Sequence, residues 1–243
     1  MNRLPVQVAE RLRRFVRKLK KDDDLESFIG ILNATGEAYL FGGAPRDVAF
    51  GAGRLVNDLD IFVSGPVDIE QIRSVGTFVK RTNFGGFRLV IGKYEVDVWE
   101  LDKSYAFRFD ASSYISTRNL LNSVCFSTDG IALSLKSGRS TVTSAFLASL
   151  RDRRLDFVVP PPSLEPVVAA RIARLALKLE LGLTPAVASY FVECVDEIGV
   201  PSLIDAEARW GRHRMLNEMS MEQVKLEIKQ AIFHAYQQLR ATP

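Results

Sequence analysis

Phe41-Gly42-Gly43-Ala44-Pro45-Arg46-Asp47, followed after a short spacer by Asn57-Asp58-Leu59-Asp60-Ile61-Phe62, decides how this chain folds. Just before it, Ala38-Tyr39-Leu40-Phe41 reads as a short buried strand that stops at the glycine pair. Pro45 fits the first turn of a helix, where no amide donor is needed, and that helix is expected to run to about Phe50 and end at Gly51. Leu59 to Val63 forms the next strand. Side chains two apart on a strand share a face, so Asp58 and Asp60 project together while Leu59 and Ile61 turn into the core. The unit sets backbone amides at a helix start beside two carboxylates.

Further along, Phe87–Ile91 and Tyr94–Leu101 read as strands joined by a turn at Gly92-Lys93. Alternation in the second groups Glu95, Asp97 and Trp99 against Val96 and Val98. If this strand neighbours the one carrying Asp58 and Asp60, Asp97 completes a cluster of three carboxylates. Ser123–Phe126 and Ile131–Leu135 are expected to form a hairpin across Thr128-Asp129-Gly130. After Pro160-Pro161-Pro162 the pattern turns helical. A helix starting at Pro162 or Ser163 is expected to end at Gly182, followed by helices near 185–198, 204–219 and 221–240. The expected division is therefore a domain over 1–160 and a helical domain over 161–243.

Between Arg3 and Lys21 lie eight basic residues and the single acid Glu10, with Val8, Leu12, Phe15 and Leu19 at helical spacing. This predicts a basic amphipathic helix at about 5–21. Its charged side reads either as a solvated face or as a contact for RNA or another polyanion. Asp22-Asp23-Asp24 reads as the N-cap cluster of the next helix.

Composition narrows the chemistry. The 243 residues are 47% apolar and 25% charged with a net charge of +3, as in a globular protein long enough to bury a core. No stretch reaches the roughly 18 to 20 apolar residues of a membrane span, and the N-terminus lacks a secretory h-region, so the expected location is cytoplasmic. Cys125 and Cys194 have no local partner pattern, which argues against disulfides and zinc. With only His213 and His234, a histidine mechanism is not expected either. Carboxylates, basic side chains and a metal are the remaining reagents. Three acids on one face repel unless a divalent cation neutralises them. Mg²⁺ takes oxygen ligands at about 2.0–2.1 Å and shares them with substrate phosphates, and two such ions about 3.5–4 Å apart fit this kind of site. The amides of Gly42 and Gly43 suit a triphosphate, and Arg46 offers a planar fork of donors to it. Each piece alone reads as a tight turn, a cap or a solvent-facing strand residue. In this order and spacing they favour a nucleotide and metal site.

The run from Gly42 to Asp47, followed by Asp58-Leu59-Asp60, resembles the head domain of the class II, bacterial-type tRNA nucleotidyltransferases and poly(A) polymerases of the polymerase-β-like superfamily. Asn122-Ser123-Val124-Cys125-Phe126, Asp129-Gly130, and the run from Glu165 to Leu175 are similar to later family segments, so the resemblance covers about 36–190. It implies an α+β fold in which a nucleotidyltransferase head, with a mixed β-sheet commonly of five strands flanked by helices, is followed by an all-helical neck-like C-terminal half. It also implies that Asp58 and Asp60 bind Mg²⁺, that Gly42, Gly43 and Arg46 hold the NTP triphosphate, and that Asn122 meets the nucleotide. Two segments depart from the family. In Ser116-Thr117-Arg118-Asn119-Leu120 a single arginine survives, and Arg118 stands where the family has an acid, which leaves it a contact to triphosphate or ribose. In the neck, Glu165 and Val168 replace the Asp and first Arg that template the incoming base, while Arg171 and Arg174 match the later arginines. Arg has five donors and Val none, so the base recognition of CCA addition is not expected to carry over unchanged.

The expected function is Mg²⁺-dependent transfer of a nucleoside monophosphate from an NTP to a hydroxyl, on RNA such as a tRNA-like 3′ end, with release of pyrophosphate. A small molecule or a protein side chain is the other acceptor class. The competing reading is a catalytically altered or inactive RNA-binding or regulatory protein on the same fold. A protein partner or a second copy is a further possibility, docked on C-terminal helices that carry Trp210, Met215, Leu216, Met219, Ile228 and Ile232.

Overall fold

The computed structural model of the protein describes residues 3–52, 58–82, 85–108 and 114–210. The chain divides into two compact units, one holding residues up to Val124 together with Asp129–Leu147, the other Cys125–Thr128 together with the residues from Ala148. Among the described residues no helix is long and apolar enough to cross a membrane.

The first unit begins with α1 (Val6–Leu19), which buries Val8, Leu12, Val16 and Leu19. Burying such a side chain is worth about 1.5–3 kcal/mol, enough to fix one face of the helix. Its Arg11 Nη2 donates to the Ala49 carbonyl at 2.9 Å. Asp22 then caps α2 (Asp23–Thr35) by accepting from the Leu25 amide. β1 (Ala38–Phe41) leads through Gly42 into α3 (Gly43–Phe50), which starts two residues before Pro45 and ends at Gly51 in the left-handed conformation. β2 (Asp58–Val63), α4 (Ile69–Val75), β3 (Thr77–Arg81), β4 (Phe87–Ile91) and β5 (Tyr94–Glu100) follow. The short helices α5 (Tyr105–Arg108) and α6 (Thr117–Asn122) precede β6 (Ile131–Ser134) and β7 (Ser140–Val142).

These strands form one mixed sheet in the order β3-β4-β5-β2-β1-β6-β7, seven strands rather than the five that the resemblance implied. β2 and β5 run parallel, and the other neighbours are antiparallel. One sheet face is apolar across the central strands, with Leu40, Leu59, Ile61, Leu89, Val96 and Val98 fully buried or nearly so. On the other face Phe62, Leu101, Leu120, Leu121 and Ala132 form a cluster joined by Tyr39, Phe41 and Trp99.

The hairpin expected across Thr128-Asp129-Gly130 does not form. Cys125–Thr128 turns instead toward residues 156–158, with Ser127 N–H on the Asp156 carbonyl, Val158 N–H on the Cys125 carbonyl and a single bridge between Phe126 and Phe157. β6 is buried on both faces, pairs with β1 in the sheet, and makes its hairpin with β7.

Helix α7 (Ser144–Asp152) follows β7, and the second unit contains β8 (Arg154–Leu155), α8 (Pro166–Leu179), β9 (Gly182–Leu183), α9 (Pro185–Ile198) and α10 (Val200–Trp210). α8 starts later than expected, with Pro166 in its first turn. It ends before Gly182 because Glu180 turns left-handed and Gly182 joins the parallel β8–β9 pair. Helices α9 and α10 fall in the helical regions read from the pattern. Asn57, the expected helix 221–240 and the end of the expected helix 204–219 lie outside the described residues.

Candidate active site

The glycine corner is built by two constraints that coincide at one residue. Gly42 has φ of +67°, which an L-side chain rarely adopts. A Cβ at this position would also lie 2.9 Å from Asp60 Oδ2. Glycine therefore lets the chain turn into α3 while its backbone rests against the carboxylate. No side chain caps α3, so its first amides keep their donor character facing this corner.

Across the sheet, register makes a row of charge. Asp58 pairs with Glu95 and Asp60 with Asp97 in the parallel β2–β5 ladder, so Asp58, Asp60 and Asp97 do share one face. The antiparallel β4–β5 ladder then sets Arg88 opposite Asp97. Arg88 Nε donates to Asp97 Oδ1 at 2.7 Å, and its Nη2 donates to Oδ2, a two-pronged clamp on the third carboxylate. The Asp60 pKa is pushed up to about 7, first by burial and then by the charges of Asp97 and Asp58, with Arg46 and Arg88 opposing. Burial and the two acids therefore outweigh both arginines at Asp60.

The donors are hard oxygens, as Mg²⁺ requires, and the raised pKa of Asp60 marks a place where added positive charge lowers the energy. Asp58 and Asp60 fit a divalent ion on those grounds. Asp97 sits beside them but is engaged by Arg88. Among the described residues no three His, Cys, Asp or Glu side chains already converge as a metal site.

Arg46, read from the sequence as a phosphate fork, has its Nη2 beside Gly43, 3.4 Å from where a Cβ there would lie, while its other donors bind acids. Its Nε donates to Asp47 Oδ1 at 2.9 Å and its Nη1 to Asp129 Oδ1 at 2.7 Å, with all three side chains nearly buried. Burial opposes its charge, but Asp129 and Asp47 outweigh that and hold the guanidinium above its usual range. The triad ties α3 to the turn preceding β6, and it keeps the helix start beside Asp60. The sequence reading gave Arg88 no role and named Asp129 only within a turn and a family-like segment. For Arg88 a signal existed. A two-residue turn at Gly92-Lys93 pairs Ile91 with Tyr94 and hence Arg88 with Asp97.

Arg118 and Asn122 lie exposed on α6, whose Ser116 cap accepts from the Asn119 amide at 3.2 Å. The neck residues belong to the second unit. Glu165 is the N-cap of α8, and its own N–H donates to the Tyr190 hydroxyl at 2.8 Å. Val168 is buried. Arg171 lies with its guanidinium carbon 5.1 Å from the Phe126 ring centroid, and Arg174 is half-buried one turn further on.

Several solved structures share this architecture. A tRNA-processing enzyme in an apo form is 21% identical with a TM-score of 0.57, over 97% of this chain and 58% of the other. A tRNA nucleotidyltransferase complexed with a primer tRNA and an incoming ATP analog is 23% identical with a TM-score of 0.56, over 84% of this chain and 58% of the other. A CCA-adding enzyme in complex with CTP is 15% identical with a TM-score of 0.61, over 90% of this chain and 54% of the other. The fold is that of the tRNA nucleotidyltransferases. The chain spans a little over half the length of those proteins. No protein-family model matches the sequence, and no curated protein does.

Proposed function

We propose that this protein transfers a nucleoside monophosphate from an NTP to a hydroxyl of RNA, releasing pyrophosphate. The observation that carries the reading is the contact of the glycine corner with Asp60 on a strand whose Asp58 shares the same face. That contact brings an anion-binding helix start and a pair of carboxylates within one site. In the reaction the acceptor oxygen bonds to the α-phosphorus, the bond from that phosphorus to the β-bridging oxygen breaks, and the acceptor proton is released. The amides at the start of α3 hold the polyphosphate, and Asp58 and Asp60 would hold Mg²⁺. When bound, Mg²⁺ supplies Lewis acidity at the phosphate oxygens. The Arg46 triad keeps the helix start in place. The likeness of the fold to tRNA nucleotidyltransferases supports RNA as the acceptor over a small molecule or a protein.

The test is incubation with labelled NTPs, Mg²⁺ and total RNA beside an Asp58→Ala/Asp60→Ala variant. Loss of the several kcal/mol that metal catalysis contributes predicts at least about a 1000-fold slower label transfer. Equal labelling by both proteins would sink the assignment.

One observation favours a second reading. The Arg88 clamp on Asp97 neutralises the third carboxylate internally, as suits a protein that binds NTP or RNA without transfer. Metal-independent NTP binding together with no transfer to any RNA would favour that reading.

A further inference from the structure

We propose that the outward face of α1, extended by the β6–β7 turn, is a docking surface for the phosphate backbone of double-helical RNA. With Val8, Leu12, Val16 and Leu19 buried, α1 leaves Arg13, Arg14, Arg17 and Lys18 exposed. Arg13 with Arg17, and Arg14 with Lys18, are four apart, so they make two adjacent rows of cations, each about one 5.4 Å turn long.

The tertiary fold adds what the helix alone lacks. Gly138, in the turn between β6 and β7, faces α1 so closely that a Cβ there would lie 3.6 Å from Arg13 Cγ. Lys136 and Arg139, both exposed, flank that glycine and so join the patch from a segment over a hundred residues away. None of these six cations is in an ion pair among the described residues. The nearby acids are Glu10, Glu37 and the run Asp22-Asp23-Asp24 just beyond the C-terminal end of α1. Glu10 lies on the exposed side of α1, and Glu37 is half-buried and occupied by the Ser134 and Tyr39 hydroxyls.

The chemistry selects the partner. A membrane-surface helix keeps its apolar side for lipid, whereas this apolar stripe is buried against protein. A single-strand platform stacks bases on aromatic rings, and the only aromatic of α1, Phe15, is half-buried. What remains is rigid positive charge without stacking groups, which suits a regular array of phosphates read by shape. The surface is also held in place. Arg11 grips the Ala49 carbonyl near the end of α3, about 10 Å along that helix from Gly42. RNA seated on α1 is thereby fixed relative to the glycine corner of the same unit.

The proposal involves no nucleotide chemistry, and neither does its test. Fluorescence anisotropy with a labelled RNA duplex, without NTP or Mg²⁺, is recorded from about 50 to 200 mM KCl. Six phosphate contacts on a duplex predict a log–log salt slope of about −5. Arg13→Gln/Arg14→Gln/Arg17→Gln/Lys18→Gln is expected to weaken binding by at least about 30-fold and to flatten the slope by about 3. Lys136→Gln/Arg139→Gln, which leaves the α1 packing intact, is expected to flatten it by about 1 to 2 and carries the test if the quadruple variant misfolds. Because the readout contains neither NTP nor Mg²⁺, failure of the transfer reading is read separately. Unchanged affinity and slope in a natively folded variant would overturn the proposal. So would equal or tighter binding to single-stranded poly(U) of the same length, or to phosphatidylcholine–phosphatidylserine vesicles.

Discussion

The carboxylate row of the first unit and the arginines of α8 in the second show two ways in which a charged side chain is placed. On β2 and β5, alternation and register leave Asp58, Asp60 and Asp97 on one face whatever surrounds them. Along α8, helical spacing sets Arg171 and Arg174 on one side, but packing then decides their use, and Arg171 spends its charge on the Phe126 ring. A strand ladder therefore fixes chemistry by geometry alone. A helix face leaves it to the neighbours. Within the row Arg88 answers the charge of Asp97 while burial leaves the Asp60 pKa raised, whereas α8 turns Val168, Ile172 and Leu175 into the core.

That contrast can be broken at several points, beginning with the support of the row. Arg46→Gln removes the cation that Asp47 and Asp129, two nearly buried acids, share. A loss of about 3–5 kcal/mol is expected in urea unfolding, with the transfer rate falling as the helix start loosens. A loss below about 1 kcal/mol would mean that the triad is not what holds α3.

The strain on Asp60 gives a pH signature. Its folded pKa lies above its unfolded value, so the folded state binds the extra proton between about pH 4 and 7, and stability falls as pH rises through that window. The fall is on the order of 2–4 kcal/mol without metal. Asp60→Asn is expected to flatten it, and added Mg²⁺ to reverse it above pH 7. Thermal melts across pH, with and without the ion, measure both.

Arg88→Gln sharpens the comparison by making the third carboxylate resemble the other two. Removal of a partly exposed cation beside Asp97 is expected to tighten Mn²⁺ binding about three- to tenfold, read by electron paramagnetic resonance without nucleotide. Weaker binding would show that Arg88 positions Asp97 for the ion rather than occupying it. The smallest effect belongs to α8. Arg171→Ala is expected to cost about 0.5–1 kcal/mol of stability through the lost ring contact and to leave the preference between CTP and ATP unchanged. A changed preference would show that α8 selects the base after all.

Much of the site was legible because short-range rules govern it. A glycine pair, an Asp-x-Asp strand and an alternating Tyr94–Glu100 segment each depend on neighbours in sequence, and each stands where the pattern set it. The Arg88 clamp was legible in principle through the two-residue turn that fixes its register. The misread hairpin at Thr128-Asp129-Gly130 shows the limit. Its apolar residues suited a strand, but which strand Ile131–Ser134 would pair with depended on β1, ninety residues earlier.

By itself the sequence determined the strand faces, the glycine corner, the apolar stripe of α1 and the helical character after the triple proline, since periodicity and backbone sterics act within a few residues. Only the tertiary structure decided that Arg46 serves two buried acids, that Arg88 closes on Asp97 and that the β6–β7 turn adds its cations to α1. In each of these the energy comes from charge and packing between segments distant in the chain, and no local pattern encodes which partners will meet.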